Sequence, residues 1–462
     1  MEMKKCILGI DLGTSSVKIL KKYRDGSIQK LKSTYENPLP LGWWQAILKL
    51  LEMIDWQEVE AIGMTSQVGT YLVNEEEVIG WNQPIGKEEL KWWKENYTTE
   101  QFVQEISMPH PDIISYPLPR LKYVKEHIKN IKTICQPKEY ILKQLTGEWV
   151  TDAYSWRGLA NLEKQEYSDF FLQKLGIDKS VLPNIQRYDS LAGYTKELSL
   201  VTNTLPQGIP VYVGLNDYYA GLLGMGVGEE GQMFDLTGTS EHVGVIQKEM
   251  ALDSTLVSGP YLQDMVHYGV TASSGPSIKY GLRLAPLGEL DLEAMKAKKP
   301  PVFLPYLKGE RAPIWNPDAR GVFFGLEEKT DLEQMQYAIM EGVVFSLYHI
   351  YETMGKPQIR KITISGGAAE IAYLNRLKAQ VFNSTVQVVE ESDVSALGAC
   401  MVAAVGVGVY DTYKQVQEEW VQIARTIEPK GDYDTWFAKR FELYKNLYNS
   451  VSHLYEQWKT MS

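Results

Sequence analysis

The stretch ILGIDLGTSSVKIL, residues 7–20, places an apolar run, an acid and a Gly-Thr turn in direct succession. The residues from Ile7 to Ile10 predict a buried strand that ends at Asp11, and the residues from Val17 to Leu20 predict a second strand. A Walker loop or a dinucleotide fingerprint requires a helix directly after its glycines, because the N-terminus of that helix faces the phosphates. Since a strand follows here, and neither GxGxxG nor GK[ST] follows the turn, both interpretations are excluded.

The same pattern returns in the second half of the chain. After the opening hairpin, Asp25-Gly26 lies between two strand-like runs and predicts a further hairpin. The stretch GQMFDLTGTSEHVGVIQKE, residues 231–249, repeats the order of strand, Gly-Thr-Ser and strand. This short internal repeat suggests two lobes that are built alike, each with a Gly-Thr turn.

Composition excludes several classes of protein. The chain has 462 residues and a net charge of -11, and it contains no marked basic run, so nucleic acid is a poor candidate for a partner. Three cysteines lie far apart in the chain, which argues against disulfides and structural zinc and favours a reducing cytoplasm. The apolar run ALGACMVAAVGVGVY, residues 396–410, is shorter than a bilayer span and predicts a buried helix, so no membrane partner is expected.

The rest of the chain alternates strands and helices. Residues 60–67 and 208–217 predict strands, whereas residues 118–128 and 137–147 predict helices, the second of which stops at Gly147. Residues 330–354 predict a long helix that begins with a capping box between Thr330 and Glu333. Residues 360–382 predict a strand, a Gly-Gly turn and a helix, and the aromatic tail from Tyr433 to Trp458 predicts further helix.

The two Gly-Thr turns are candidate phosphate sites. Glycine allows successive backbone N–H groups to point into one concavity that binds anions, and Thr and Ser hydroxyls add donors. Lys18 follows the first turn closely and offers a positive charge, while Asp11 at a strand end can hold Mg²⁺ through water. A single copy is more often an ordinary hairpin, but two copies, the first with Asp11, favour phosphate binding.

Two further positions carry both a chemical and a structural interpretation. Asp217 follows a strand, where a carboxylate can accept the proton of an alcohol that attacks a phosphoryl group, but Asp also caps helices well. Gly366 and Gly367 lie between a strand and a helix, where they allow a flat ring to approach the backbone or simply form a tight turn. Position alone does not decide between these alternatives.

The stretch FLPYLKGERAPIWNPDARGVFFGL, residues 303–326, strongly resembles the signature of the FGGY carbohydrate kinases. The other motifs follow in the order of that family. They are the first phosphate motif at Asp11, Gly13 and Thr14, the Gly-Asp motif around Asp217, the second phosphate motif at Gly238, Thr239 and Ser240, and the adenosine motif at Gly366 and Gly367 with Gly398 and Ala399. The signature residues are Pro305, Tyr306, Gly309, Glu310, Arg311, Pro313, Trp315, Pro317, Ala319, Arg320, Gly321 and Gly325.

The resemblance implies an α/β protein with the two-lobed actin-like ATPase (ribonuclease H-like) fold and mixed sheets flanked by helices around a cleft. Residues 1–228 would form the N-terminal lobe, which binds the sugar, and residues 229–462 the C-terminal lobe, which binds the nucleotide. The implied reaction is ATP-dependent phosphorylation of a hydroxyl of a small sugar, ketose or polyol. Asp217 would be the general base, and Asp11 and Asp217 would lie on the Mg²⁺ side.

The resemblance assigns the remaining site residues to two groups. The substrate residues are expected to be Gln67, Trp81, Asn216 and Asp217. The nucleotide residues are expected to be Gly13, Thr14, Ser15, Lys18, Gly238, Thr239, Ser240, Gly366, Gly367 and Asn375.

The sequence departs from the family pattern near the expected sugar pocket. Family members commonly carry Gln-Met-His after the strand, where this chain has Gln67, Val68 and Gly69. They commonly carry Trp-x-Asp-x-Arg soon after, where this chain keeps Trp81 but has Gln83 and Ile85. The loss of an acid and a base removes strong hydrogen bonds to hydroxyls, so the substrate can differ from xylulose, glycerol or gluconate.

Two alternatives remain open at this point. A catalytically weak sensor with the kinase fold would explain the altered residues 81–86, although it would not need both Asp11 and Asp217. An actin-like chaperone or filament protein would share the phosphate turns but would not explain the Gly-Glu-Arg signature. A homodimer is an expectation only at the level of the family.

Overall fold

The protein is described by a computed structural model that covers residues 4–110, 112–238, 240–252, 255–289, 291–431 and 434–461. The described residues divide into two compact units. Unit 1 contains the chain up to Gly228, together with Gly259–Gln263 and Asp393–Val421. Unit 2 contains Glu229–Ser258, Asp264–Ser392 and the chain from Gln422 onward. The first break coincides with the expected division at residue 228, but the second half also returns two segments to unit 1.

Unit 1 combines one large sheet with small ribbons and helices. Its strands are β1 (Cys6–Leu12), β2 (Ser16–Tyr23), β3 (Ile28–Thr34), β4 (Val59–Ser66), β5 (Tyr71–Val73), β6 (Glu77–Ile79), β7 (Ile134–Cys135), β8 (Val150–Thr151), β9 (Ala160–Asn161), β10 (Glu166–Tyr167), β11 (Asn184–Ile185), β12 (Leu191–Tyr194), β13 (Leu198–Ser199), β14 (Thr204–Leu205) and β15 (Pro210–Tyr212). Its helices are α1 (Pro40–Leu51), α2 (Lys87–Asn96), α3 (Thr99–Ile106), α4 (Pro117–His127), α5 (Pro137–Thr146), α6 (Asp169–Leu175), α7 (Asp217–Gly224), α12 (Val394–Gly406) and α13 (Tyr413–Trp420).

The large sheet of unit 1 has the strand order β12-β15-β4-β1-β2-β3. Strands β1, β2 and β3 form an antiparallel meander, whereas β4 runs parallel to β1 and β15 runs parallel to β4. Side chains alternate along β1, so that Leu8 and Ile10 pack in a core with Trp43 of α1, while Gly9 faces α12. A Cβ atom at Gly9 would lie 2.0 Å from the Ala396 carbonyl oxygen, so this glycine is what permits α12 to pack closely on the sheet.

Unit 2 is built around a second large sheet. Its strands are β16 (Gln232–Thr237), β17 (Glu241–Gln247), β18 (Val257–Tyr261), β19 (Asp264–Thr271), β20 (Val302–Leu304), β21 (Val322–Phe324), β22 (Lys361–Gly366), β23 (Val386–Val389) and β24 (Ile423–Ile427). Its helices are α8 (Ser274–Leu284), α9 (Leu292–Lys298), α10 (Leu332–Thr353), α11 (Ala372–Val381), α14 (Asp434–Val451) and α15 (Leu454–Lys459).

The sheet of unit 2 repeats the pattern of unit 1. Its order is β18-β19-β17-β16-β22-β23-β24, and β16, β17 and β19 form an antiparallel meander. Strand β22 runs parallel to β16, and β23 runs parallel to β22. Each unit therefore has a hairpin closed by a Gly-Thr turn, with a parallel strand beside its first strand. The repeat expected from the two Gly-Thr-Ser sequences is confirmed at the level of sheet topology.

The long helix α10 begins one residue later than its predicted capping box implies, so the prediction of Thr330 with Glu333 was wrong. Asp331 is the N-cap, and its side chain accepts from the backbone N–H of Gln334 at 2.8 Å. The Gln334 side chain accepts from the Asp331 N–H at 3.0 Å and donates to the Lys298 carbonyl oxygen at 2.9 Å. The bond from Gln334 to the Lys298 carbonyl oxygen joins the start of α10 to the end of α9. This tertiary contact favours Asp331 over Thr330 as the N-cap.

Most of the other predicted elements match the described residues, but the strand predicted over residues 208–217 is confined to Pro210–Tyr212, and Asp217 begins α7. The Asp25-Gly26 turn, the helix that stops at Gly147, the buried helix over the alanine-rich run and the helical tail are all present, although Tyr433 lies outside the described residues. None of the described helices combines the length and the apolar content needed to cross a membrane.

Candidate active site

The first part of the site lies where β1 and β4 of unit 1 end. Asp11 is buried and faces Thr65 in the parallel register of the two strands. Asp11 Oδ1 and Thr65 Oγ1 are both buried and make no hydrogen bond to any described residue. Two such polar atoms at one level of a sheet are costly unless a ligand or an ion completes them. Thr65 was not predicted, because a buried threonine in a strand gives no signal of its own.

Asp217 occupies the start of α7, just after β15. The structure separates its two interpretations, because the helix cap is Asn216, whose side-chain oxygen accepts from the Tyr219 N–H at 3.2 Å. The Asn216 amide also donates to the Tyr154 carbonyl oxygen at 2.9 Å. The partly exposed Asp217 carboxylate accepts from the Tyr218 N–H at 2.9 Å. Asn216 therefore orients the start of the helix and leaves Asp217 available for chemistry.

Asp11 and Asp217 both have raised pKa values. Burial and the negative charge of Asp217 raise the pKa of Asp11 to about 7, and Lys18 partly opposes this shift. Burial raises the pKa of Asp217 to about 6, and the Tyr218 N–H and Arg157 limit the rise. Two carboxylates with raised pKa values in one place form an arrangement that can accept a proton or hold a cation near neutral pH.

Arg157 is a member of this neighbourhood that sequence reasoning missed. Its buried guanidinium group lies 5.0 to 5.4 Å from the ring centroids of Tyr116, Tyr218 and Tyr219. The tyrosine rings stabilise the positive charge of Arg157. That charge partly offsets the rise in the pKa of Asp217 that burial causes. A single arginine among aromatic residues has no spacing that would have identified it.

The first Gly-Thr turn closes the hairpin of β1 and β2. The Gly13 N–H donates to the Ser16 carbonyl oxygen at 3.0 Å, and the Tyr35 hydroxyl donates to the Gly13 carbonyl oxygen. Thr14 and Ser15 are exposed, so their polar groups are open to a ligand. Lys18, by contrast, forms an ion pair with Asp393 at 2.6 Å. A phosphate contact by Lys18 stays a prediction.

The residues expected to meet the sugar differ in their setting. Gln67 is buried directly after β4, and its N–H donates to the Leu12 carbonyl oxygen at 2.9 Å. Trp81 is 37% exposed, and its loop is held by Arg120, which donates to the carbonyl oxygens of Gly80, Trp81 and Gln83 at 2.9 to 3.2 Å. The buried Arg120 thus fixes the loop that carries the departures at Gln83 and Ile85.

The second part of the site belongs to unit 2. Gly238 and Ser240 lie in the turn between β16 and β17, and the predicted Thr239 lies outside the described residues. Gly366 at the end of β22 has φ 97°, and a Cβ atom there would lie 2.0 Å from the Thr237 carbonyl oxygen. Gly367 has no heavy atom within 4 Å of such a Cβ. Gly366 is therefore required by the backbone, whereas Gly367 leaves open space.

A cavity of about 970 Å³ lies beside these glycines within unit 2. Gly238, Gly367 and the partly buried Ala368 border it, together with the apolar side chains of α8. The volume is at the upper end of the range for small-molecule sites. The complete lining consists of Gly238, Gly275, Pro276, Ile278, Lys279, Leu282, Arg283, Leu307, Lys308, Gly367, Ala368 and Ile371. The residues of α8 were not predicted, since their role depends on contacts far along the chain.

Two predicted nucleotide positions make structural contacts, and their nucleotide contacts stay predictions. Asn375 is fully buried and donates to the Ala369 carbonyl oxygen at 2.7 Å, so it supports the turn from behind and does not line the cavity. Gly398 belongs to unit 1, where a Cβ atom would lie 1.8 Å from the Ala220 carbonyl oxygen. Gly398 and its neighbour Ala399 therefore allow close packing of α12.

The family-like signature supports the cavity. Glu310 is buried and accepts hydrogen bonds from the Thr271 hydroxyl at 2.8 Å and the Ala272 N–H at 2.6 Å, directly before α8. Arg311 donates to the Ser240 hydroxyl at 3.4 Å in the second Gly-Thr turn. These bonds join the signature to the start of α8 and to the turn, so Glu310 and Arg311 hold these elements of the site together.

Both halves of the chain match a known protein family. The model of the FGGY family of carbohydrate kinases matches through its N-terminal domain over residues 6–224 and through its C-terminal domain over residues 236–407. A xylulose kinase of Staphylococcus xylosus is 26% identical, covering 96% of this chain and 99% of its own. A glycerol kinase of Thermococcus kodakarensis is also 26% identical, covering 97% of each chain.

Solved structures show the same fold. A gluconate kinase from Lactobacillus acidophilus superimposes with a TM-score of 0.85 at 22% identity, over 98% of this chain and all of its own. A xylulose kinase from the same organism gives 0.84 at 22% identity, with the same coverage. The expected actin-like α/β fold is confirmed. The chain therefore belongs to the FGGY family of carbohydrate kinases, and it is itself a carbohydrate kinase.

Proposed function

We propose that the chain transfers the γ-phosphate of ATP to a hydroxyl of a small sugar, ketose or polyol, with Asp217 as the general base. The observation that carries this proposal is the pair of carboxylates, Asp11 and Asp217, with raised pKa values beside a Gly-Thr turn. A pKa of about 6 leaves Asp217 mostly ionised at neutral pH, so it can accept the proton of an attacking hydroxyl. The sugar residues would be Gln67 and Trp81, with Asn216 positioning the base.

The nucleotide would bind in unit 2. The backbone of the second Gly-Thr turn offers donors to phosphate oxygens, and the open face at Gly367 leaves room for a flat ring. Ile278, Leu282 and Ile371 supply apolar contacts for adenine within the cavity. Lys279, Arg283 and Lys308 border the same cavity and add positive charge that favours an anionic ligand.

The first turn fits a hydrated magnesium ion. A cation held through water would give the Asp11 Oδ1 atom a partner. It would also reduce the repulsion between Asp11 and Asp217. When bound, such an ion neutralises charge on the transferred phosphoryl group. The chain's own contribution is to hold Asp217 at the helix start and to keep Asp11 buried beside it.

The acceptor is decided by a substrate panel. Coupled measurement of ADP release with pentuloses, polyols and sugar acids should give turnover with at least one compound in the presence of Mg²⁺. Absence of turnover with every compound, together with clear thermal stabilisation by one of them, would instead support the sensor hypothesis. The changed residues Gln83 and Ile85 lead us to expect a substrate preference that differs from that of xylulose kinases.

A further inference from the structure

Four polar side chains form a buried cluster in unit 2, hereafter the Lys378 cluster. Lys378 of α11 is 1% exposed and donates to a carboxylate oxygen of Glu241 at 2.7 Å and to Asp235. Glu241 also accepts from the hydroxyl of Ser274. Asp235 and Glu241 are as deeply buried as the lysine.

Each member of the Lys378 cluster lies on a different element of the nucleotide site. Asp235 is on β16, which leads into the second Gly-Thr turn, and Glu241 follows Ser240 at the start of β17. Ser274 is the first residue of α8, the helix whose apolar side chains line the cavity. Lys378 is on α11, which follows the turn of Gly366 and Gly367. The ammonium group of Lys378 therefore joins α11 to the strands on both sides of the turn. Glu241 joins the same group to α8 through Ser274.

The two carboxyl groups of the Lys378 cluster differ in the direction of their pKa shifts. Burial and the charge of Glu241 raise the pKa of Asp235 well above its ordinary value. Burial opposes ionisation of Glu241, but Lys378 outweighs it and lowers the pKa of Glu241. Burial also opposes the charge of Lys378, but Asp235 and Glu241 outweigh it and raise its pKa. The two carboxyl groups of the cluster thus differ, since Glu241 ionises more readily than Asp235.

We propose that Lys378 is a positioning residue for nucleotide binding, because its ammonium group holds β16, β17 and, through Glu241 and Ser274, the start of α8 in the arrangement that receives ATP. This inference rests on the proposed placement of the nucleotide in unit 2. It also accounts for Glu241, which is fully buried at the start of β17. A glutamate at that point needs a buried cation, and Lys378 supplies it.

A second buried ion pair in unit 2 provides the control. Arg440 donates to both carboxylate oxygens of Glu341, at 2.6 and 2.5 Å, and Glu341 is fully buried. Neither residue borders the cavity. Removal of either buried cation leaves carboxylates without their partner, so both changes should lower the thermal midpoint. Only the loss of Lys378 should also change nucleotide binding.

The test compares Lys378→Met with Arg440→Met by ATP titration, steady-state kinetics and thermal unfolding. We expect Lys378→Met to raise the Kd and KM for ATP at least tenfold while the sugar KM stays within twofold. Arg440→Met should leave both ATP constants within twofold. Unchanged ATP binding in Lys378→Met, or equal weakening in both variants, would overturn the proposal.

Two milder variants keep the test decisive if Lys378→Met does not fold. Glu241→Gln should weaken ATP binding in the same direction and more strongly than Asp235→Asn, because Glu241 also accepts from Ser274 at the start of α8. Wild-type ATP binding by Glu241→Gln, or equal effects of the two variants, would contradict the proposal. Gly367→Val fills the open face of the cavity. Wild-type ATP binding by that variant would show that the nucleotide lies elsewhere, which is a failure of the proposed function and not of Lys378 alone.

Discussion

The first and second Gly-Thr turns close hairpins of the same topology, but different groups surround them. Aligned on Gly-Thr-Ser, Asp11 falls opposite Leu236, so only the first turn has an acid in that position. The parallel strand beside the first turn ends in Ser66, and the corresponding strand beside the second ends in Gly366. Behind the second turn lies the Lys378 cluster, whereas the cation that follows the first turn, Lys18, pairs with Asp393.

This difference indicates that the two turns, which share one repeated topology, divide the functions of the site between them. At the first turn, Asp11 is buried and its Oδ1 accepts no hydrogen bond from any described residue, which costs stability. At the second turn, the buried Glu241 is paired with Lys378, and the surrounding residues shape a cavity. Chemistry is expected at the first turn and nucleotide binding at the second, and the following experiments test or refine that contrast.

The largest effect is expected at the base. Asp217→Ala removes the only carboxylate proposed to accept the substrate proton, so kcat should fall roughly 10²- to 10⁴-fold. The fold should be retained, since Asn216 and not Asp217 caps α7. Turnover with the best sugar of the panel measures the loss. A kcat within threefold of wild type would remove Asp217 from the mechanism.

The second effect concerns the backbone of the nucleotide turn. Gly366→Ala imposes a side chain at φ 97° and a contact of 2.0 Å with the Thr237 carbonyl oxygen, so it should destabilise by more than the roughly 1–3 kcal/mol of backbone strain alone. Gly355→Ala is the matched control, because Gly355 has φ 83° but no heavy atom within 4 Å of the added Cβ. Chemical denaturation should show the larger loss for Gly366→Ala, and equal losses would mean that close contact with Thr237 is unimportant.

The third effect is a gain of stability. Without metal, the pKa of Asp11 is about 7 in the folded chain against roughly 4 when unfolded, so ionised Asp11 destabilises the fold. The penalty is absent below the unfolded pKa, grows as pH rises and is complete above pH 7. Each pH unit corresponds to roughly 1.4 kcal/mol, which sets a ceiling of about 4 kcal/mol.

Asp11→Asn should therefore raise the unfolding midpoint in EDTA at pH 8 and change it little at pH 4. The pH 4 measurement is the internal control, because the folded state is then protonated and the unfolded state about half protonated, so that the penalty is small. Mg²⁺ should reduce the difference at pH 8 by stabilising the wild-type carboxylate. A variant that is less stable than wild type at pH 8 would show that Asp11 has a partner that offsets its burial.

The smallest effect concerns specificity. Gln83→Asp restores the acid common in the family and keeps an oxygen that can accept from the Gly80 N–H, as Gln83 does at 3.2 Å. A charged hydrogen bond to a sugar hydroxyl is worth roughly 1.5–3 kcal/mol, so kcat/KM for xylulose should rise about tenfold or more. Gln83→Glu, with its longer side chain, is the control. No change in the ranking of the sugar panel would place residue 83 away from the substrate.

Local patterns predicted much of this molecule because local forces determine it. The Gly-Thr hairpins, the helix that ends at Gly147 and the strand before Gly366 all follow from side-chain period and turn chemistry. The start of α10 shows the limit, since Thr330 and Asp331 are both good caps and a contact with Lys298 favours the second.

The site was harder to predict where it depends on distant contacts. Lys378 meets Asp235 and Glu241 across 143 and 137 residues of sequence, and no spacing rule connects them. Asn375 shows the converse difficulty, because its nucleotide contact stays a prediction while the structure shows a buried side chain that supports the turn. The resemblance to a family identified the chemistry, but only the packing shows which residues support it.

The division of labour between the two turns is tested most directly by measuring ATP binding and turnover together in Asp217→Ala and Gly367→Val. Titration calorimetry should give Asp217→Ala an ATP Kd within threefold of wild type despite its lost turnover. Gly367→Val should lose ATP binding at least tenfold, while thermal stabilisation by the sugar persists. Loss of ATP binding in Asp217→Ala with retention in Gly367→Val would contradict the account.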